Sequence, residues 1–182
     1  MDSMQVSPNP YIDKAVATVL VPMRVAARYP GVESVVCTGS TRAVTTPCLD
    51  TPIKGTETTW NHAAVEAAYA PTYTDAALHA HAVYSAQFVK KEQAAYWFWT
   101  RTNPHYRFNI VAVSVTWGQI VSTANQGYLS TSGFLNGPEN FLVMASRLVP
   151  HWCCDVQDMA QLHVAAATGS DVTNERIFAF VL

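Results

Sequence analysis

The chain has 182 residues, 49% of them apolar and only 13% charged, with a formal net charge of −2. That charge balance, with no basic run, excludes binding to nucleic acid through the phosphate backbone, and no stretch approaches the ~18 unbroken apolar residues of a membrane span. Ordinary soluble domains carry about a quarter charged residues, so the apolar surplus here points to a covered surface, such as a subunit interface.

In chain order, Asn9-Pro10 reads as a helix start, with Asn9 as cap and Pro10 at the first helical position. Ile12, Val16, Val19, Leu20 and Met23 follow at helical spacing up to Arg28, and Pro30-Gly31 stops the helix. Residues 32–38 are a β-branched run and predict a short buried strand. Residues 39–60, rich in Thr, Pro and Gly, predict a long loop. The strongest helix is predicted over 76–101, ended by Asn103-Pro104, and its Tyr96-Trp97-Phe98-Trp99 stretch is apolar all round. A second strand is predicted over 107–116, a loop over 118–139, a short helix over 141–148, a helix over 156–167 and a final strand over 176–181. Apolar strands alternating with helices predict a parallel α/β sheet, and the length suits a single domain spanning 1–182.

Residues 1–10 lack the apolar core of a signal peptide, and the four cysteines (Cys37, Cys48, Cys153, Cys154) show no disulfide framework. A reduced, cytoplasmic protein is the expectation. His79 and His81 are metal-ligand types, but on a helix i and i+2 point apart, so they read as surface histidines. The run His151-Trp152-Cys153-Cys154-Asp155 has zinc-ligand composition without a second ligand pair at zinc spacing, and it reads better as a strand. No metal site is expected. Trp97 and Trp99 read as core or dimer contacts rather than a substrate platform.

Several segments, in order, resemble the extended short-chain dehydrogenase/reductase family, in particular its fungal aldehyde reductases and dihydroflavonol-reductase relatives within the NAD-dependent epimerase/dehydratase superfamily. They are Ala26-Ala27-Arg28, Val35-Val36-Cys37-Thr38-Gly39-Ser40, Thr59-Trp60-Asn61, Val83-Tyr84, and Glu92-Gln93-Ala94-Ala95. Asn103-Pro104-His105-Tyr106, Ser130-Thr131-Ser132-Gly133, Asp155-Val156-Gln157-Asp158 with His163, and Glu175-Arg176-Ile177-Phe178 follow. The resemblance implies a truncated Rossmann-like parallel sheet covered by helices. It also implies a Ser and a Tyr that share a substrate oxygen, with a Lys four residues after the Tyr to lower its pKa and hold the nicotinamide ribose. Ser40 matches the Ser and Tyr84 the Tyr, whereas the Lys position is Phe88, and no Tyr in the chain has a Lys four residues later. Lys91, seven residues on, lies on roughly the same face, about 10 Å along the axis.

Two further departures bear on the cofactor. No glycine-rich phosphate-binding turn occurs among the eight glycines, and Val113 stands where relatives carry a proline beside the nicotinamide. The expectation is therefore a chain truncated relative to its family, binding neither nicotinamide cofactor nor metal. Its function is read as a non-redox, cofactor-independent enzyme of cyclase, isomerase or lactonisation type. It would act through Ser40 and Tyr84 on a carbonyl-containing, polyketide-like small molecule of secondary metabolism. The alternatives are a fragment of an NAD(P)H-dependent aldehyde or ketone reductase, and a non-catalytic dimerising remnant. In relatives, helices matching 10–28 and 76–101 build a two-fold interface, which implies a homodimer.

Overall fold

The structure is a computed structural model that describes residues 9–46, 54–71, 75–128, 130–140, 142 and 152–180. Cys48, His151 and nearly all of the helix predicted over 141–148 lie outside the described residues.

The first helix, α1 (Pro10–Ala26), starts where the sequence indicated: Asn9 Oδ1 accepts a hydrogen bond from the Tyr11 amide at 3.1 Å. Strand β1 (Ser34–Ser40) runs into a 3₁₀ turn, Thr41–Ala43. A short helix that the sequence reading did not foresee, α2 (His62–Ala68), is capped by Asn61. The long helix α3 (Ala76–Thr102) is capped by Asp75 and closed by Asn103 in the left-handed conformation at φ 41°, whose amide donates to Trp99 O at 2.9 Å. Strand β2 (Arg107–Val113) follows.

The strand expected over 107–116 is two strands. Ser114 breaks the run, its amide and hydroxyl both donating to Ala179 O at 3.3 and 2.8 Å. Beyond it, β3 (Val115–Trp117) turns into a separate parallel pair with β4 (Cys153–Asp155). The region expected as loop holds one turn of helix, α4 (Thr123–Gln126), and a 3₁₀ turn, Ser130–Leu135. Helix α5 (Val156–Thr168) and strand β5 (Arg176–Ala179) complete the order.

The main sheet is parallel in the order β1-β2-β5, with Ser40 opposite Val113 and Ile110 opposite Arg176. This is the truncated Rossmann-like sheet covered by helices. Central β2 is buried through its middle five residues, as a parallel strand covered on both faces must be. On one face Phe108 and Ile110 pack with Met23, Leu20, Ala95 and Phe98 of α1 and α3. On the other Val111 packs with Met159 and Ala166 of α5. Asn109, fully buried on this face, donates to Ala166 O and Val172 O at 2.9 Å each and accepts from the Glu175 amide. Its three bonds satisfy the loop that returns α5 to β5. Among the described residues no helix is long and apolar enough to cross a membrane.

Candidate functional site

Ser40 ends β1 at the carboxyl edge of the sheet and is 6% exposed. Its hydroxyl accepts from the Arg42 amide at 3.2 Å, which caps the 3₁₀ turn. Its own amide donates to Glu92 Oε1 at 2.9 Å, tying the strand end to the middle of α3. Gly39 makes this approach possible. A Cβ there would stand 2.5 Å from Glu92 Oε1 and 2.7 Å from Ile110 Cγ2.

Glu92 is itself held from β5. Arg176 Nε donates to Glu92 Oε2 at 3.0 Å and Arg176 Nη2 lies 2.9 Å from the same oxygen. Arg176 Nη1 donates to Thr59 O at 2.6 Å, and the guanidinium lies 3.9 Å over the Trp60 ring. Burial pushes the Glu92 carboxyl up, opposed by the Arg176 guanidinium and the Ser40 amide. β1, α3, β5 and the segment before α2 are thus joined at one buried charge pair that fixes the Ser40 backbone.

Tyr84 sits one step off the buried stripe of α3 (Ala82, Ser85, Ala86, Val89, Glu92) and is half-exposed. Its ring meets Phe88 edge-on at 5.3 Å, so the position one turn on is filled by an aromatic ring. Ser40 and Tyr84 make no hydrogen bond to each other; Arg42 bridges their elements. Arg42 Nε donates to Ser85 Oγ at 3.1 Å, beside Tyr84, while its amide holds Ser40 Oγ. Burial holds the Arg42 guanidinium below its ordinary range, with the nearby Tyr84 acting in the other direction. The sequence reading missed Arg42, which lies in a Thr-rich stretch with no spacing rule to mark it.

Lys91 does reach the end of β1. Its ammonium donates to Thr38 O at 2.9 Å and lies 4.5 Å over the Phe88 ring. The Thr38 hydroxyl is 3.0 Å from His163 Nε2, and His163 Nδ1 faces Met159 O at 2.8 Å. A carbonyl only accepts, so Nδ1 carries a proton; in the neutral ring, Nε2 is then the acceptor for the Thr38 hydroxyl. A groove of about 310 Å³ between α1 and α3 is lined by Tyr11, Lys14, Thr18, Gln87, Phe88 and Lys91. A second, of about 390 Å³, lies beyond β3 against Trp117, Gln126, Thr131 and Val156. Ser40 and Tyr84 line neither groove; Ser40 is buried at the strand end, and Tyr84 is half-exposed on α3.

His79, on α3, donates from Nε2 to Ala68 O at 3.2 Å. Cys153 and Cys154 lie in β4 as free thiols. Among the described residues no group of three His, Cys, Asp or Glu side chains could hold a metal ion. The nicotinamide dinucleotide used by the resembling reductases needs a glycine-rich strand-to-helix turn for its pyrophosphate and a cation at its ribose. Gly39 is backed by Glu92 and Ile110 inside a strand, and Phe88 fills the turn after Tyr84. The residues present do not fit that group.

The ketoreductase nvfG of Aspergillus novofumigatus is 28% identical to this chain over 181 aligned positions, covering 94% of this chain and 51% of that protein. The ketoreductase adrE of Penicillium rubens is 35% identical over 105 positions, covering 53% and 29%. The chain spans about half the length of the first of these relatives and less of the second. Among solved structures, the yeast methylglyoxal/isovaleraldehyde reductase Gre2, complexed with NADPH, matches with a TM-score of 0.66 at 22% identity, over 91% of this chain and 49% of its own. Vestitone reductase from alfalfa matches with a TM-score of 0.66 at 16% identity, over 97% and 53%. No protein-family model matches the chain.

Proposed function

We propose that the chain, similar over 94% of its length to a fungal ketoreductase and sharing the fold of a yeast reductase, belongs to the extended short-chain dehydrogenase/reductase superfamily and acts on a ketone-bearing small molecule, held by its carbonyl oxygen between the hydroxyls of Ser40 and Tyr84. The observation that carries this reading is the Arg42 bridge, which fixes the β1 terminus against the turn of α3 that bears Tyr84. Hydroxyl donors aimed at a carbonyl oxygen stabilise the negative charge that develops there when a proton leaves the adjacent carbon or a nucleophile adds. That chemistry needs no redox partner, so a non-redox isomerisation, cyclisation or lactonisation is the activity proposed for these residues. Phe88 supports it, since the cation that would assist hydride transfer is replaced by a ring packed on Tyr84.

NAD(P)H-dependent ketone reduction is the second reading, favoured by the ketoreductase names of the relatives. Incubation of the chain with a 1,3-diketone in deuterium oxide separates the two. The first reading expects enzyme-dependent deuterium incorporation next to the carbonyl, without NADPH and sensitive to Ser40→Ala. NADPH consumption with alcohol formation supports the second. Assembly as a homodimer belongs to the same proposal, supported by the apolar side chains that α1 (Tyr11, Val21, Val25) and α3 (Leu78, Trp97) leave exposed.

A further inference from the structure

Arg42 is a partly buried cation that makes no ion pair among the described residues. Its Nε is engaged by Ser85, but its two terminal amino groups make no hydrogen bond or ion pair to any described residue. The one ion pair recorded among the described side chains is that of Arg176 with Glu92. The contrast between these arginines is informative. Arg176 is completed by a carboxylate, two carbonyls and an aromatic face, whereas Arg42 is braced at one nitrogen and left open at its fork. Removing a guanidinium from water without a counter-charge costs free energy, and a guanidinium fork matches a carboxylate in a two-bond geometry that no other side chain offers. The brace to Ser85 also removes rotational freedom before any ligand arrives, which favours binding.

We infer that the Arg42 fork receives a carboxylate of the substrate, so that the ketone acted on is a keto acid, its carboxylate on the terminal amino groups of Arg42 and its carbonyl turned to Ser40 and Tyr84. This rests on the reading of Ser40 and Tyr84 given above. Ser40 Oγ accepts from the Arg42 amide, and Arg42 Nε reaches Ser85, the residue that follows Tyr84 on α3. A small molecule on the Arg42 fork would therefore lie next to the two elements that carry the hydroxyls.

The test measures binding of pyruvate, acetoacetate and levulinate, each against its methyl ester, to the full chain by ligand-detected NMR. The expected result is that at least one acid binds about tenfold tighter than its ester, the scale of one charge-assisted hydrogen bond, and that added salt weakens the acid alone. Arg42→Gln should erase the preference of acid over ester, while Arg42→Lys should retain part of it. Ser85→Ala removes the brace but keeps the charge, and should reduce the preference without abolishing it. A thermal melt of each variant confirms that the fold is kept. Equal binding of acids and esters, or a preference that survives Arg42→Gln, overturns the inference. If esters bind in a manner dependent on Ser40 and Tyr84 but acids gain nothing, the carbonyl reading stands and the Arg42 assignment falls. If Arg42→Gln abolishes acid binding but Ser40→Ala and Tyr84→Phe do not affect it, the anion site stands and the carbonyl reading falls. Absence of binding by every probe overturns both.

Discussion

The carboxylate of Glu92 and the guanidinium of Arg176 meet at 2.9 Å, with neither side chain exposed to water. Deleting one partner of such a pair leaves an uncompensated buried charge and costs about 3–5 kcal/mol. Glu92→Gln should therefore lower the melting temperature by roughly 6–20 °C, given about 2–4 °C per kcal/mol for a chain of this size. The double variant Glu92→Met/Arg176→Met should recover part of that loss, measured by urea unfolding of Glu92→Met, Arg176→Met and the double variant. Additive losses would show that the two residues stabilise the fold independently.

Gly39→Ala should be destabilising, because its methyl group meets Glu92 Oε1 and Ile110 Cγ2 well inside contact distance. Overpacking of this kind costs about 1–3 kcal/mol. The relevant measurement is the unfolding midpoint together with the amide shift of Ser40, which should move as its bond to Glu92 breaks. An unchanged Ser40 amide would mean that Glu92 has shifted instead.

Tyr84→Phe should lower turnover of a ketone substrate by about 10²-fold, the scale for losing one donor to a developing oxyanion. Ser40→Ala should act in the same direction, and the double variant should be less than additive if both hydroxyls serve one oxygen. Phe88→Lys should not produce NADPH-dependent reduction, since no pyrophosphate-binding turn accompanies it. Full activity in the double variant would place the chemistry elsewhere.

Trp97 and Trp99 should respond differently to charge. Trp97 is half-exposed beside Arg101, so Trp97→Glu should leave the fold intact and reduce the molecular mass measured by light scattering from dimer to monomer. Trp99 packs on the core and donates from its ring to Tyr106 O at 3.1 Å, so Trp99→Glu should unfold the chain. A wild type that is monomeric at high concentration would remove the dimer proposal.

Cys37 should resist alkylation that Cys153 accepts. Burial pushes the Cys37 thiol up to about 11, so at pH 8 about one molecule in a thousand carries the reactive thiolate. Raising the pH increases that fraction, but the burial that causes the shift also excludes the reagent. Cys153 is exposed. Mass spectrometry after iodoacetamide treatment should find Cys153 modified at once and Cys37 only in denaturant.

The long helices were legible because their ends carry local chemistry: Asn9 and Pro10 open α1, and Asn103 before Pro104 closes α3. The parallel sheet was legible from β-branched runs. The break at Ser114 was not, because Val113-Ser114-Val115 reads as continuous strand and the interruption comes from a carbonyl 65 positions away. Ser40 and Tyr84 came from a resemblance rather than from spacing. Glu92 did leave a trace, an acid on the stripe of Val89, Ala95 and Phe98, which signals a buried partner. The identity of that partner, 84 residues away, is written only in the fold. Arg42 left none.

The amide of Ser40 is bonded to a buried carboxylate across 52 positions of chain, and that carboxylate is fixed from β5. Water can reach this proton only when strand, helix and distant strand part company together. Its hydrogen-exchange rate therefore monitors opening of the whole molecule rather than fraying of a loop. If a bound ketone or carboxylate slows that exchange as much as it slows exchange deep in β2, then ligand and fold share one cooperative unit, and the residues of the candidate site cannot be loosened without loosening the rest.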